Sequence, residues 1–180
     1  SELALSYHGT IYAYTAHKLG IPDLLARRPL TAADIARTVV VNGGGVADDH
    51  ADLIERFMVA CASRGLFRIL EEEDGARREN TFSRPRFVNT ALSAVLRSDH
   101  PNSMRAILGH HVEDMWRAWA ALPEFLRDPR GPSAWCRANP QHGDFWAKFQ
   151  ADPEADAQFA RAMSAVDALG GAARRPGGAG

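Results

Sequence analysis

The stretch Gly-His-His-Val-Glu-Asp-Met-Trp, at residues 109–116, places two histidines and two carboxylates within five positions. His110 and Asp114 stand four residues apart, so in a helix they share one face. Imidazole and carboxylate groups can bind a metal, but two ligands on one helix need at least one more from elsewhere. Nothing in the sequence marks a third ligand. We therefore expect a polar face or a pocket lining here, and no metal.

Aromatic side chains concentrate in the second half of the chain, and some are paired with methionines at helical spacing. These aromatic residues are Trp116, Trp119, Trp135, Phe145, Trp146, Phe149 and Phe159. Met115 stands four residues before Trp119, and each such pair can present one apolar wall. Phe159 and Met163 have the same spacing. A helix core or a subunit interface is the commoner reason for such a group. The sharper hypothesis is a pocket for a flat aromatic ligand, to which methionine adapts well.

Two glycine-rich stretches resemble cofactor loops only in composition. Three glycines at residues 43–45 are not followed by the Lys-Ser/Thr pair of a phosphate-binding loop. The ending Val-Asp-Ala-Leu-Gly-Gly-Ala-Ala-Arg-Arg-Pro-Gly-Gly-Ala-Gly has no hydrophobic strand before it and no helix after it. No nucleophile elbow or similar constellation is present either. We predict no catalytic residues, no cofactor-binding residues and a flexible tail over residues 169–180.

Local signals in the first half predict helices with defined ends. Thr31, followed three residues later by Asp34, predicts a carboxylate variant of the capping box. An amphipathic stripe predicts a longer helix, with apolar residues at Leu53, Ile54, Phe57, Met58 and Cys61. Gly65 is a typical helix C-cap.

A β-hairpin is predicted after these helices. Residues 66–70 suit one strand, and Asp74 with Gly75 signals a turn. Residues 81–88 could return as the second strand, which Pro85 would restrict to a sheet edge. The predicted elements therefore come in the order short helix, capped helix, longer helix and hairpin. This is the order of elements in a winged helix-turn-helix.

The rest of the sequence, from about residue 100 onward, predicts further helices. Pro101 is placed near the start of a long helix that contains His110 and Trp119, and Pro153 starts the last helix. The fold class predicted from these patterns is mainly α, winged-helix-like, with one small β-hairpin.

The charge pattern argues against nucleic acid as a partner. The chain has 21 Lys+Arg against 22 Asp+Glu, a net charge of −1. The second helix of the turn motif carries Arg56 and Arg64, but also Asp52 and Glu55. Affinity for phosphates grows with the number of cations that displace counterions, and this balance is too even for tight binding.

The composition also indicates the cellular compartment that we expect for this chain. The 180 residues include only two cysteines, Cys61 and Cys136, in unrelated contexts. A reduced, cytoplasmic compartment is therefore the expectation. No apolar run approaches the roughly 20 residues that cross a bilayer, and no membrane association is expected.

The ordered series of motifs resembles a known family. The series runs through LGIPDLL, LTAADIA, LIERFMVACASRGLF, FVNTALSAVLRSDHPNSMRA, MWRAWAALPEFLRD and HGDFWAKFQADPEADAQFARAM. It is similar to the N-terminal domain of the S-adenosylmethionine-dependent small-molecule O-methyltransferases, which include plant caffeic acid and flavonoid enzymes and bacterial relatives. The resemblance spans about residues 10–168, and we predict one domain over residues 1–168.

The resemblance implies a helical, winged-helix-like dimerisation domain that also closes over the acceptor substrate. Phe159 and Met163 match an aromatic and a methionine position that line the substrate in the family. His110 matches a further pocket position, upstream of the tryptophan matched by Trp119. Met115 joins this substrate-binding set through its pairing with Trp119.

The cofactor implied is S-adenosylmethionine, which the family holds in a Rossmann-like domain with a DxGGGxG-type loop. That loop is absent from these 180 residues. We therefore expect a fragment: the dimerisation and acceptor-lining domain of an O-methyltransferase acting on a small aromatic hydroxyl compound. Alone, it should neither bind S-adenosylmethionine nor turn over.

The partners expected are a second copy of the chain and the aromatic acceptor. The apolar stripes exceed what one small helical domain usually hides, which favours a homodimer. One alternative is a winged-helix transcriptional regulator that dimerises and senses an aromatic ligand. A weaker one is a stand-alone dimerisation module that forms mixed dimers with full-length partners.

Overall fold

The computed structural model describes residues 5–39, 48–70 and 84–173 of the chain. The turn predicted at Asp74 and Gly75, the glycines at 43–45 and the tail from 174 onward lie outside these residues. The chain divides into two units, Ser1–Ser103 and Met104–Gly180, which are described separately below.

The first unit combines helices with a small antiparallel sheet. Its elements are α1 (Tyr7–Lys18), α2 (Ile21–Leu25), β1 (Leu30–Thr31), α3 (Ala32–Val39), α4 (Asp48–Ser63), β2 (Phe67–Leu70), β3 (Arg86–Asn89) and α5 (Ala91–Ala94). Helices outweigh strands in both units, so the predicted mainly α class is confirmed.

The sheet has one strand more than the predicted hairpin. The strand order is β1-β3-β2, with both pairings antiparallel. Leu30 pairs with Phe87, and Ile69 pairs with the same residue from the other side. The central place of β3 corrects the prediction that Pro85 confines this strand to an edge. Pro85 precedes the strand, so its missing N–H removes no bond from the ladder.

The predicted helix ends of this unit are confirmed. The Asp34 N–H donates to the Thr31 hydroxyl oxygen at 3.2 Å, and the Thr31 N–H donates back to the Asp34 carboxylate at 3.1 Å. This reciprocal pair is a capping box. Gly65 follows α4 with a φ of 74°, the left-handed conformation that glycine adopts without a steric penalty.

The core of the first unit collects the apolar faces of α3, α4 and the sheet. Ile35, Met58, Phe67 and Phe87 are almost completely buried. The predicted stripe of α4 is correct for Ile54, Met58 and Cys61, which are buried. Leu53 is 54% exposed, so the buried face of α4 is narrower than its apolar pattern.

The second unit consists of helices joined by short turns and loops, with no strand among its described residues. Its elements are α6 (Arg105–Gly109), a π-helical segment (His110–Met115), α7 (Trp116–Ala120), α8 (Leu122–Arg127), α9 (Ala134–Ala138), a 3₁₀ turn (Pro140–His142), α10 (Phe145–Ala151) and α11 (Pro153–Ala173).

The long helix predicted from Pro101 is wrong in its start and in its continuity. Helical structure begins at Arg105, and Pro101 lies in a turn before it. The π-helical segment, which the sequence analysis did not predict, then separates α6 from α7.

The last helix starts at Pro153, as predicted, and the helix before it starts at Phe145. The Asp144 carboxylate accepts from the N–H groups of Trp146 and Ala147, both at 2.8 Å. Asp152 accepts likewise from the Glu154 N–H at 3.0 Å, and Pro153 opens α11. Helix α11 extends to Ala173, past the boundary predicted at residue 168.

Candidate ligand-binding site

His110 begins the π-helical segment and is only 6% exposed. A π-helix hydrogen-bonds each residue to the fifth one along the chain, and such segments are frequent at functional sites. The widened turn follows Gly109, whose missing side chain leaves room for Gln158 of α11: a Cβ at residue 109 would lie 3.0 Å from the Gln158 Nε2 atom. A glycine before the π-helical segment thus allows α11 to approach it closely.

Two charged side chains extend from His110 in a hydrogen-bonded chain. The His110 Nδ1 atom lies 2.9 Å from the Asp114 Oδ2 atom. The other carboxylate oxygen, Oδ1, accepts from the ammonium of Lys148 on α10. An ionised carboxylate can only accept hydrogen bonds, so Nδ1 must carry the proton between these two groups. Asp114 therefore selects the ring nitrogen of His110 that carries the proton, and Lys148 holds the Asp114 carboxylate from its other side.

Aromatic rings surround His110. We call His110, Trp135, Phe145, Phe149 and Phe159 the aromatic cluster. The Phe159 ring meets the His110 ring edge to face, with 5.1 Å between their centroids. Phe145 approaches His110 at 6.3 Å and Phe159 at 5.8 Å. These edge-to-face arrangements are the favourable ones for aromatic pairs. Residues from the π-helical segment, α9, α10 and α11 thus share one apolar environment.

Trp135 contributes a buried donor to the aromatic cluster. It is 6% exposed and its ring lies 5.4 Å from that of Phe145. Among the residues that the structure describes, no acceptor hydrogen-bonds to its Nε1 atom. Buried indole N–H groups usually have a partner, because an unsatisfied buried donor costs about 1–3 kcal/mol. This donor is a polar group that a ligand could satisfy.

A surface cleft lies beside the aromatic cluster on the second unit. Its volume is about 400 Å³, and its lining consists of Trp146, Phe149, Gln150, Pro153 and Asp156. Trp146 is 60% exposed there, while Phe149 belongs both to this lining and to the aromatic cluster.

The structure brings together two of the five residues predicted to bind substrate. His110 and Phe159 are in ring contact. Met163 follows Phe159 by one turn of α11 and is half-buried, as is Met115 at the end of the π-helical segment. Trp119 was predicted to form one apolar wall with Met115. Its side chain is 60% exposed, so the tryptophan part of that wall faces solvent. A substrate-binding role for all five stays a prediction.

Other members of the site escaped the sequence analysis. Lys148 stands 34 positions from Asp114, and no local pattern pairs them. Trp135, Phe145 and Phe149 were noticed only as part of the aromatic concentration. The spacing of His110 and Asp114 predicted that both side chains lie on one helix face. This is confirmed, and the two side chains are hydrogen-bonded. The described segments contain no group of three or more side chains able to hold a metal.

A protein-family model matches the first half of the chain. Residues 1–99 match the O-methyltransferase dimerisation domain. The chain is 32% identical over 163 residues to nicotinate N-methyltransferase 1 of Oryza sativa subsp. japonica, which covers 83% of this chain and 40% of that protein. It is 34% identical over 119 residues to the phenazine O-methyltransferase PhzM of Lysobacter antibioticus, covering 66% of this chain and 29% of that protein.

Solved structures agree with these relatives. The structure of the mitomycin 7-O-methyltransferase MmcR has a TM-score of 0.68 and 26% identity to this chain, covering 92% of this chain and 42% of that one. The chain therefore spans well under half the length of the proteins it matches. None of its described helices combines the length and the apolar character that a bilayer crossing requires.

Proposed function

Because this chain belongs to the O-methyltransferase dimerisation domain family, we propose that it is the subunit-pairing and acceptor-lining part of an S-adenosylmethionine-dependent O-methyltransferase. The family match over residues 1–99 is the observation that carries this proposal. The relatives at 32% and 34% identity are both methyltransferases, which supports the same chemistry.

The proposed assembly is a homodimer formed through the first unit. Leu53, Val59 and Leu92 of that unit are large apolar side chains exposed to solvent. Burying such side chains against a second copy would gain roughly 25 cal/mol per Å² of apolar surface. Sedimentation equilibrium should show a dimer, and Leu53→Asp should shift it toward monomer. Leu126→Asp, at an exposed leucine of the second unit, is the matched control. A wild-type monomer would contradict the proposal.

The proposed acceptor is a small aromatic compound with a hydroxyl group. The names of the relatives point to phenazine, nicotinate and mitomycin compounds as their substrates. The aromatic cluster supports a flat ligand here, because the rings of Phe145, Phe149 and Phe159 offer apolar walls while His110 and Trp135 offer polar atoms. Apolar pockets with a few placed polar groups are typical of small-molecule sites.

The described residues do not fit S-adenosylmethionine. Their sheet is antiparallel, and in the described segments no strand leads through a glycine-rich turn into a helix, the arrangement that holds a nucleotide cofactor. We propose that another part of the protein holds S-adenosylmethionine, and we expect no cofactor binding by these 180 residues.

The test uses the complete product of the gene that encodes this chain. It should transfer a methyl group from S-adenosylmethionine to a panel of aromatic hydroxyl compounds, measured by mass spectrometry. The 180-residue chain alone should give no product, and calorimetry should detect no cofactor binding to it. Absence of methyl transfer by the complete protein across the panel would contradict the proposed function.

A second candidate rests on the order of elements in the first unit. Helices α3 and α4 followed by β2 and β3 would suit a winged-helix regulator. The charge balance of α4 disfavours it. A salt-dependent mobility shift of duplex DNA at sub-micromolar protein would support the regulator, while no shift at low salt would reject it.

A further inference from the structure

We propose that Asp114 and Lys148 are positioning residues that hold His110 in the tautomer with a bare Nε2 atom, so that Nε2 accepts a hydrogen bond from the hydroxyl group of an aromatic ligand. The inference rests on the proposed function, since it assigns the acceptor hydroxyl a partner. It also restricts the ligand, which must donate a hydrogen bond to Nε2. An aromatic ether or carboxylate has no such donor and should not bind there.

The proton of the neutral His110 ring lies on the nitrogen that faces Asp114. The Nδ1 atom of His110 lies 2.9 Å from the Asp114 carboxylate. With the proton on Nδ1, the neutral ring has a lone pair on Nε2 and becomes an acceptor there. The opposite tautomer would set the lone pair of Nδ1 against the carboxylate oxygen.

The buried carboxylate of Asp114 needs a partner of opposite charge, and Lys148 is that partner. Its side chain is largely buried, and an unpaired carboxylate in that position would carry a large desolvation cost. The Lys148 ammonium offsets this cost by donating to the second carboxylate oxygen, so each oxygen has a partner. Lys148 thus keeps Asp114 as an acceptor, and Asp114 keeps the proton on Nδ1. Partners that orient a histidine in this way are familiar from metal sites, where they also set the tautomer.

The Nε2 atom of His110 belongs to a buried ring with aromatic neighbours. His110 is more than nine-tenths buried, and no described residue hydrogen-bonds to its Nε2 atom. The rings of Phe159 and Phe145 meet the imidazole at steep angles, with centroids 5.1 and 6.3 Å away, and make its surroundings apolar and aromatic. The unpartnered Nε1–H of Trp135, whose ring contacts Phe145, is a second polar atom of the aromatic cluster. A hydroxyl group can both donate and accept, whereas a carboxylate only accepts and would meet the charge of Asp114.

The first experiment reads the tautomer directly. Histidine side-chain ¹⁵N–¹H correlation spectra of the 180-residue chain at pH 8 should show His110 with its proton on Nδ1. Asp114→Ala should release this preference, and Lys148→Met should weaken it while Lys148→Arg retains it. Glu113→Ala, which removes an exposed carboxylate from the same segment, is the control and should change nothing. A proton on Nε2 in the wild-type chain overturns the proposal without any variant having to fold.

The second experiment uses phenol as the probe, with anisole and benzoate as matched compounds that lack the phenolic O–H. Phenol should move the Nε2 resonance of His110, and the other two should not. Asp114→Ala should weaken phenol binding several-fold, because the released imidazole also adopts the tautomer with its proton on Nε2, which cannot accept a hydrogen bond there. No shift with phenol, or an equal shift with anisole, overturns the proposal.

Failure here is distinguishable from failure of the proposed function. A complete protein that transfers methyl groups and forms a dimer, but carries the proton of His110 on Nε2, keeps the proposed function and loses this inference. A protein with the predicted tautomer and phenol shift but without methyl transfer would lose the proposed function instead.

Discussion

Thr31 and Asp34 cap the same helix reciprocally. The Thr31 hydroxyl donates to the Asp34 carboxylate at 2.8 Å and accepts from the Asp34 N–H at 3.2 Å. Thr31 also pairs with Arg86 in the sheet, so one residue joins the start of α3 to the central strand. The cap is therefore tied to the tertiary structure of the first unit.

Removing the capping hydroxyl should destabilise the first unit. We expect Thr31→Ala to lower the free energy of unfolding by about 1 kcal/mol, because an orphan N–H at the helix start loses its acceptor. Thr31→Ser should retain most of the stability. Thr38→Ala, near the other end of α3, is the control and should cost less. Urea unfolding followed by circular dichroism measures all three, and equal losses for Thr31→Ala and Thr38→Ala would contradict the expectation.

Acid should weaken the same cap. The hydrogen bond from the Thr31 hydroxyl, assisted by Arg37, lowers the pKa of Asp34 below its ordinary value of 3.8. The unfolded chain then binds the proton more readily than the folded one, so stability is complete above that value and is lost as the pH falls through the lowered pKa. Unfolding free energies between pH 6 and pH 2.5 should show this loss. Asp34→Asn should flatten it, whereas Asp52→Asn, at an exposed carboxylate, should leave it intact.

The two cysteines should differ in reactivity. Cys61 is fully buried on α4, and burial raises the pKa of its thiol to about 12. At pH 8 about one part in ten thousand is then thiolate, the form that reacts. In the variant Cys136→Ser, a thiol-specific disulfide reagent should therefore label the chain only after denaturant is added. Prompt labelling of that variant without denaturant would show that Cys61 is accessible.

Two aromatic residues of α10 should contribute unequally to stability. Phe149 is buried in the aromatic cluster, with its ring 4.7 Å from that of Phe159. Phe149→Ala should cost about 3–5 kcal/mol, through lost burial and the cavity left behind. Trp146→Ala, on the same helix but 60% exposed, should cost about 1 kcal/mol, because only part of its ring packs on Phe145. Thermal unfolding of the two variants tests this contrast, and similar losses would indicate that the cluster does not hold the second unit together.

Much of the fold was readable from local patterns. The capping box, the glycine at the end of α4 and the start of α11 at Pro153 were predicted at the right residues. Each depends on hydrogen bonds that span three or four positions, and such bonds leave a fixed spacing in the sequence. The resemblance to the O-methyltransferases was confirmed by the family match, because it used the order of many such elements together.

The errors have a common physical origin. The third strand, the central place of β3 and the exposure of Leu53 depend on which surfaces pack together, and a single segment does not encode that. The π-helical segment was missed because its residues follow an ordinary helical pattern. The widened turn occurs where Gly109 lets Gln158 of α11 approach.

The sequence by itself determined the family, the mainly α class and the pairing of His110 with Asp114, since a separation of four residues places both side chains on one helix face. Only the tertiary structure decided that Lys148 completes this pair, that the rings of Phe145 and Phe159 contact His110, and that Trp135 packs on Phe145. These residues come from separate helices, and the burial that brings them together is gained only when the helices pack.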